Sequence, residues 1–250
     1  MIFNHAAGVQ FSLGALLLNT MILPIEFVQL HSQNLKLKNV KELVSFWKSA
    51  KKEIQQRVDC FDSIKNNSCD KAIFAELAFC IFTPQSKAIS CWNAIKRLNE
   101  KNLLYNGTVN EIAKNITGVR FHNNKSKYLI QARNLFTINK SIKIKKKLES
   151  FKNTEELRKW LIANIKGFGY KEASHFLRNI GMGKKLAILD RHILKNLHYF
   201  KAIKEIPQTI TEKKYIEIEK QMNKFCEKIK IPMSHMDLLL WCIQTGGIFK

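Results

Sequence analysis

Residues 161–181 read LIANIKGFGYKEASHFLRNIG, and this stretch decides the fold. A helical pattern of apolar residues ends near Ile165, Lys166-Gly167-Phe168-Gly169 makes a short turn, and a second helix begins at Tyr170. Gly167 and Gly169 permit backbone conformations that side chains would block. They also expose the amide N–H groups that open the second helix. Those groups and the helix dipole form an anion site of the kind that holds a nucleic-acid phosphate. Ile162, Ile165, Phe168, Ala173 and Leu177 are spaced to pack the two helices together. Taken alone, the turn is equally that of an ordinary helical hairpin. The charge of the chain favours the phosphate reading, because 42 Lys and Arg stand against 20 Asp and Glu, a net charge of +22. Such an excess attracts polyanions at long range, and nucleic acid answers it through phosphate neutralisation and counterion release.

Outward from the hairpin the chain stays helical. It has only 10 Gly and 4 Pro in 250 residues, and helical periodicity runs through nearly everything after residue 35. The pattern predicts helices over 40–58, 70–82, 86 to about 98, 123–136 and 154–165, then at about 170–180, 191–199, 211–227 and 233–243. The helix at 70–82 is the most apolar and should be buried, and Pro84 ends it. Ser86 and Thr154 are read as N-caps, the latter with Glu155 and Glu156 in its first turn. No strand pair or internal repeat stands out, and the basic stretch 138–147 reads as a loop or a short solvated helix. The fold class is all-α, with two helical lobes and a cleft between them. Residues 35–250 make that domain.

Residues 1–34 are an N-terminal extension whose structure the pattern does not specify, read as peripheral to function. Residues 1–30 hold no Lys or Arg, so a secretory signal lacks its basic region. Residues 9–28 are largely apolar, but Gln10, Asn19, Pro24 and Glu26 weaken a membrane span, and Met21 is an alternative start. Cys60, Cys69, Cys80, Cys91, Cys226 and Cys242 include no C-x-x-C pair and no zinc-like spacing. A reducing compartment follows, with no disulfide and no bound metal.

Lys171 lies in the first turn after the hairpin. A cation there opposes the helix dipole, and burial disfavours its charged form. A lysine amine is nucleophilic only when neutral, so the position suits a Schiff-base lysine. A solvated surface lysine is the plain alternative. Asp190 follows four apolar residues and precedes a helix, which makes it a good N-cap. A fixed carboxylate also stabilises the positive charge that builds on a sugar as its glycosidic bond breaks, and one aspartate can do both.

Gly167-Phe168-Gly169-Tyr170-Lys171 followed by Asp190 resembles the helix-hairpin-helix DNA glycosylase superfamily. The blocks SHFLRN at 174–179 and DRHIL at 190–194, with Trp241, Thr245 and Gly246 ahead of Lys250, are similar to the archaeal-type 8-oxoguanine DNA glycosylase/AP lyase family over about residues 40–250. The resemblance implies a bilobal all-α helix-hairpin-helix fold. It implies a base-excision repair enzyme that extrudes 8-oxoguanine, removes it through a lysine Schiff base and cuts the abasic site by β-elimination. Lys171 would attack the sugar carbon that carries the base, with Asp190 assisting. Gly167 and Gly169 would hold the DNA backbone, often with a structural monovalent cation. His192 would lie near a phosphate, although read alone it is a helix-surface histidine. Iron–sulfur relatives end in four clustered cysteines. Here only Cys226 and Cys242 fall in the last hundred residues, which excludes that cluster, and no other cofactor is expected.

A flipped base needs a stacking surface and hydrogen-bond partners. Met233, Asp237 and Trp241 share one helix face, and an aspartate inside such an apolar stripe needs a partner. Asp237 could accept from guanine N–H groups while Trp241 stacks on the ring. The resemblance places Phe121 at the family's other stacking position and Lys250 at a C-terminus that helps read the base. It places Gln85 in the space left by the extruded nucleotide. Read alone, Gln85 and Phe121 are exposed loop residues. Arg120, Lys125, Lys127 and Arg133 are candidates for DNA backbone contacts or plain solvated charges. The expected partner is double-stranded DNA with a damaged base, bound by a monomer in the cytoplasm at the nucleoid, with no membrane. Three alternatives stay open: another oxidised base such as a pyrimidine, a non-catalytic helix-hairpin-helix DNA-binding module, and a membrane-anchored protein.

Overall fold

The computed structural model describes residues 27–31 and 35–250. Residues 1–26, on which a membrane span or signal would turn, lie outside the described residues. Among those described, no helix is long and apolar enough to cross a membrane.

Twelve helices make up the described fold. They are α1 (Val40–Asn67), α2 (Asp70–Phe82), α3 (Ala88–Glu100), α4 (Leu103–Asn106), α5 (Val109–Asn115), α6 (His122–Phe136), α7 (Ile144–Glu149), α8 (Thr154–Asn164), α9 (Tyr170–Asn179), α10 (Arg191–Tyr199), α11 (Glu212–Ile229) and α12 (Met233–Thr245). Four short strands accompany them: β1 (Val28–Gln29), β2 (Thr137–Ile138), β3 (Ser141–Ile142) and β4 (Gly247–Ile248). β1 pairs with β4 and β2 with β3, both antiparallel. The expectation of no strand pairing is corrected to that extent, and two-residue strands are too short to leave an alternating pattern.

Two apolar clusters divide the molecule. One is centred on α2, α3, α6, α8 and α9, the other on α1, α10, α11 and α12. Every residue of α2 from Ala72 to Phe82 is buried, so this helix is apolar all round and forms the axis of the first lobe. α9 packs on α2 and α8 and reaches α1, which places the hairpin helix at the junction of the lobes. Buried charges tie the lobes together. Arg158 on α8 grips Glu219 on α11 with two bonds of 2.8 and 2.9 Å, and Arg178 on α9 pairs with Asp237 on α12 at 3.2 Å.

Four local expectations change. α1 runs on from 58 to Asn67, because Phe61 and Ile64 continue its buried stripe. α3 starts at Ala88 without a side-chain cap. Ser86 instead accepts the Arg120 N–H at 3.0 Å and the Lys125 ammonium at 3.1 Å. The cap of α8 is Asn153, which accepts the Glu156 N–H at 2.9 Å, while the Thr154 hydroxyl donates to the Met182 carbonyl. The stretch 138–147 holds a tight hairpin with Asn139 and Lys140 both at positive φ, followed by α7.

Candidate active site

The hairpin forms as its glycines require. α8 ends at Asn164, and Gly167 has φ +89°, with a ring carbon of Tyr128 only 3.0 Å from where a Cβ would stand. A side chain there would be strained twice over. Gly169 is the N-cap of α9, and its N–H donates to Glu172 Oε2 at 3.2 Å. The positive end of α9 is therefore faced by the helix's own carboxylate. Glu172 Oε1 also pairs with Lys171 at 3.1 Å, and the Lys171 side chain is 27% exposed, open to a ligand yet backed by protein.

One turn further along α9 is His175, on the same face as Lys171. Burial pushes its imidazole well below the usual histidine range, with Arg178, Lys171 and Lys250 acting in the same direction. It is a neutral ring whose Nε2 has no partner among the described residues. The sequence reading overlooked it, although the Lys-x-x-x-His spacing was there to be seen.

Asp190 caps α10. Its Oδ1 accepts the N–H groups of His192 and Ile193, both at 2.8 Å. Both cap bonds fall on the one oxygen. The chain ahead of Asp190 is clamped by α11: the Tyr215 hydroxyl donates to the Ala187 carbonyl at 2.7 Å and accepts the Leu189 N–H at 3.2 Å. Glu219, held by Arg158, accepts the Ala187 N–H at 2.7 Å. The sequence reading missed Tyr215, Glu219 and Arg158, because only the fold shows what these polar residues on amphipathic helices grip. Lys171 is bonded to Glu172 rather than to Asp190.

The other wall is built by α12 and the C-terminus. Asp237 is buried against Arg178, which is the partner that a buried aspartate needs. Burial pushes its carboxyl above the usual range, Arg178 opposes this, and nearby Asp190 adds to it. Trp241 is partly exposed. The Lys250 side chain points inward, paired with Glu76 and lying 3.4 Å from the centroid of the Trp92 ring. Burial brings its ammonium down to about 8 despite the opposing Glu76.

The extension is not wholly peripheral. Val28 and Gln29 pair with Ile248 and Gly247, and the N–H groups of Leu30 and His31 both donate to the Gly246 carbonyl. Phe27 meets Trp241 edge-on at 6.3 Å. A Cβ on Gly247 would fall 2.3 Å from the Val28 carbonyl oxygen and 2.5 Å from the Phe27 ring, so this close approach of β4 to β1 requires glycine.

Of the residues expected at the DNA, Gln85 and Phe121 are exposed at loop tips, and the Arg120 guanidinium lies 5.5 Å from the Phe121 ring centroid. His192 is half-buried and accepts from Arg191 Nε at 3.3 Å, beside the Asp190 cap. Lys127 is exposed. Two basic candidates are corrected. Lys125 is buried with its ammonium on three oxygens. One arm of the Arg133 guanidinium holds the Gly107 carbonyl at 2.9 Å.

A helical hairpin at the junction of two helical lobes, with a partly exposed lysine in the first turn after it and an aspartate capping the next helix, defines the helix-hairpin-helix glycosylase class. Residues 54–231 match the family model described as 8-oxoguanine DNA glycosylase, and the chain belongs to that family. It is 46% identical over 209 residues to the 8-oxoguanine DNA glycosylase/AP lyase of Fusobacterium nucleatum, covering 84% of this chain and 96% of that protein. The enzyme of that name from Methanocaldococcus jannaschii is 38% identical over 215 residues, covering 86% and 99%. The crystal structure of the M. jannaschii glycosylase/lyase in complex with 15mer DNA containing 8-oxoguanine superposes with TM-score 0.74 at 35% identity, covering 83% of this chain and 99% of that one. The 8-oxoguanine DNA glycosylase of Thermotoga maritima superposes with TM-score 0.75 at 30% identity, covering 84% and 98%.

Proposed function

We propose that this protein is a bifunctional DNA glycosylase and abasic-site lyase that excises 8-oxoguanine. The observation that carries the reading is a half-buried lysine in the first turn after the hairpin, together with an aspartate whose two cap bonds fall on a single oxygen. Glu172, 3.1 Å from the Lys171 ammonium, is placed to take the proton that the amine must lose before it attacks. The Lys171 nitrogen bonds to the sugar carbon that carries the base, and the base departs with the bonding electrons. Asp190 Oδ2 offsets the positive charge on the sugar as that bond breaks. Ring opening gives an imine between Lys171 and the sugar, and loss of the neighbouring proton breaks the strand by β-elimination.

Trp241 offers the extruded base a stacking face. The Lys250 side chain is anchored on Glu76, so any contact from this residue to the base falls to its main chain. Gly167, Gly169, His192 and Arg120 are the proposed phosphate contacts, Gln85 fills the space left by the extruded nucleotide, and Phe121 is the second stacking residue for the base. A monovalent cation suits the hairpin, because α8 ends there with its carbonyls forward and carries no basic residue in its last turn. The protein acts as a monomer on double-stranded DNA.

Duplexes that each carry one defined lesion test the reading. Release of free 8-oxoguanine followed by a strand break is expected. Release of an oxidised pyrimidine alone would put the scaffold to another use. Binding without release from any lesion would favour a non-catalytic module.

A further inference from the structure

Gln85, between α2 and α3, has φ +56°, and Phe121, at the start of α6, has φ +59°. Neither is glycine, and a bulky residue in the left-handed region stays there only when its surroundings hold it. One buried ammonium does the holding at the first loop. Lys125 Nζ donates to the carbonyls of Phe82 at 2.7 Å and Pro84 at 2.6 Å and to the Ser86 hydroxyl oxygen at 3.1 Å. Both chain neighbours of Gln85 are thus bound to Lys125. The second loop joins through the same atom, since Ser86 Oγ also accepts the Arg120 N–H at 3.0 Å, next to Phe121. Lys125 itself sits in the first turn of α6, its N–H on the Phe121 carbonyl at 3.0 Å. All three ammonium donors are used.

We propose that Lys125 is a positioning residue that fixes Gln85 and Phe121 as one unit, the first to fill the space that the extruded nucleotide leaves and the second to stack on the extruded base. The proposal rests on the reading that gives these two residues those places. It assigns Lys125 to base extrusion and leaves the sugar chemistry to Lys171. Cys91, Lys171, Arg120 and Glu172 are the titratable and charged groups around the ammonium. Burial lowers Lys125 to about 8, with Lys171 and Arg120 helping and Cys91 and Glu172 opposing. A neutral amine has only two donors, so one of the three oxygens loses its bond as the pH rises through this value.

The test separates extrusion from chemistry. Excision of 8-oxoguanine from duplex needs extrusion of a paired base, whereas borohydride trapping at a preformed abasic site has no base to extrude. Lys125→Met keeps the stem and removes the donors. It should lower the ratio of excision to trapping about tenfold, the size of one lost charge-assisted hydrogen bond, with the trapping rate itself little changed. A 2-aminopurine beside the lesion should brighten on binding of the wild-type protein, from unstacking, and stay dim with Lys125→Met. In the wild type the ratio should fall as the pH is raised through about 8, and Lys125→Arg, charged throughout, should flatten that fall. Equal loss on both substrates, or a wild-type ratio that does not change with pH, would overturn the proposal. If Lys125→Met does not fold, the pH comparison between wild type and Lys125→Arg decides. A wild type that excises no 8-oxoguanine would overturn the parent reading, while one that excises it with no dependence on Lys125 overturns this inference alone.

Discussion

The hairpin that carries Lys171 and the C-terminal end that carries Trp241 and Lys250 are built in opposite ways. Around the hairpin the contacts are local. Gly169 and Lys171 both bond Glu172, and Asp190 bonds the two N–H groups just beyond it. At the C-terminal end the contacts are distant. Lys250 pairs with Glu76 across 174 positions, Asp237 pairs with Arg178 on another helix, and Trp241 meets Phe27 from the opposite end of the chain. The first region is half-exposed, the second largely buried. A reacting group placed by its own helix turn can be carried in a short motif. A pocket that must recognise a base depends on the whole fold, so its polar residues are already partnered before DNA arrives.

If the C-terminal end is held by buried charge, Glu76→Gln should do the most damage. It leaves the Lys250 ammonium uncompensated in the core, which costs about 3–5 kcal/mol for a broken buried pair. Chemical denaturation of the variant at neutral pH measures this, and a loss below about 1 kcal/mol, the scale of exposed pairs, would place the pair effectively in water. Next comes Asp190→Asn, which keeps the cap acceptor but removes the charge. Excision should slow by about 10²–10³-fold, the usual size of electrostatic stabilisation in a closed site, with an unchanged melting curve. A variant that cuts at the wild-type rate would leave Asp190 with its cap alone.

Smaller effects distinguish the two regions by substrate. Trp241→Ala should reduce 8-oxoguanine excision about tenfold, since stacking is worth about 1–3 kcal/mol per base, while trapping at a preformed abasic site is spared. Equal loss on both would make Trp241 a fold residue. Phe27→Ala should act in the same sense and less, because an edge-on aromatic pair contributes about 0.5–1.5 kcal/mol. Single-turnover rates on the two substrates separate these outcomes, and an unaffected Phe27→Ala protein would return the extension to the periphery.

What was legible in the sequence follows the same division. The bounds of α2 and α10, the hairpin turn and the Asp190 cap are set by residues within one or two turns, so periodicity and cap chemistry find them. The run of α1 on to Asn67 was missed although Val58, Phe61 and Ile64 keep the helical spacing. Ser86 and Lys125 were misread for a different reason. Each looks like a surface residue in its own segment, and only the approach of α6 to the α2–α3 loop buries them against one another. Asp237 was seen to need a partner, but Arg178 is brought to it by the packing of α9 near α12, which no local pattern encodes. Tyr215 and Glu219 were hidden in the same way, as the grip of α11 on residues 187–189 is purely tertiary.

The central claim is that the Lys171 amine is the nucleophile, and trapping its imine tests it most directly. Wild-type protein incubated with duplex containing 8-oxoguanine and reduced with borohydride should give a covalent protein–DNA adduct, and peptide mass analysis should place the sugar remnant on Lys171. Lys171→Gln, which keeps most of the length and a polar end but cannot form an imine, should bind the same duplex and give neither adduct nor strand break. An adduct of wild-type yield from Lys171→Gln, or a remnant mapped to another lysine, would contradict the account.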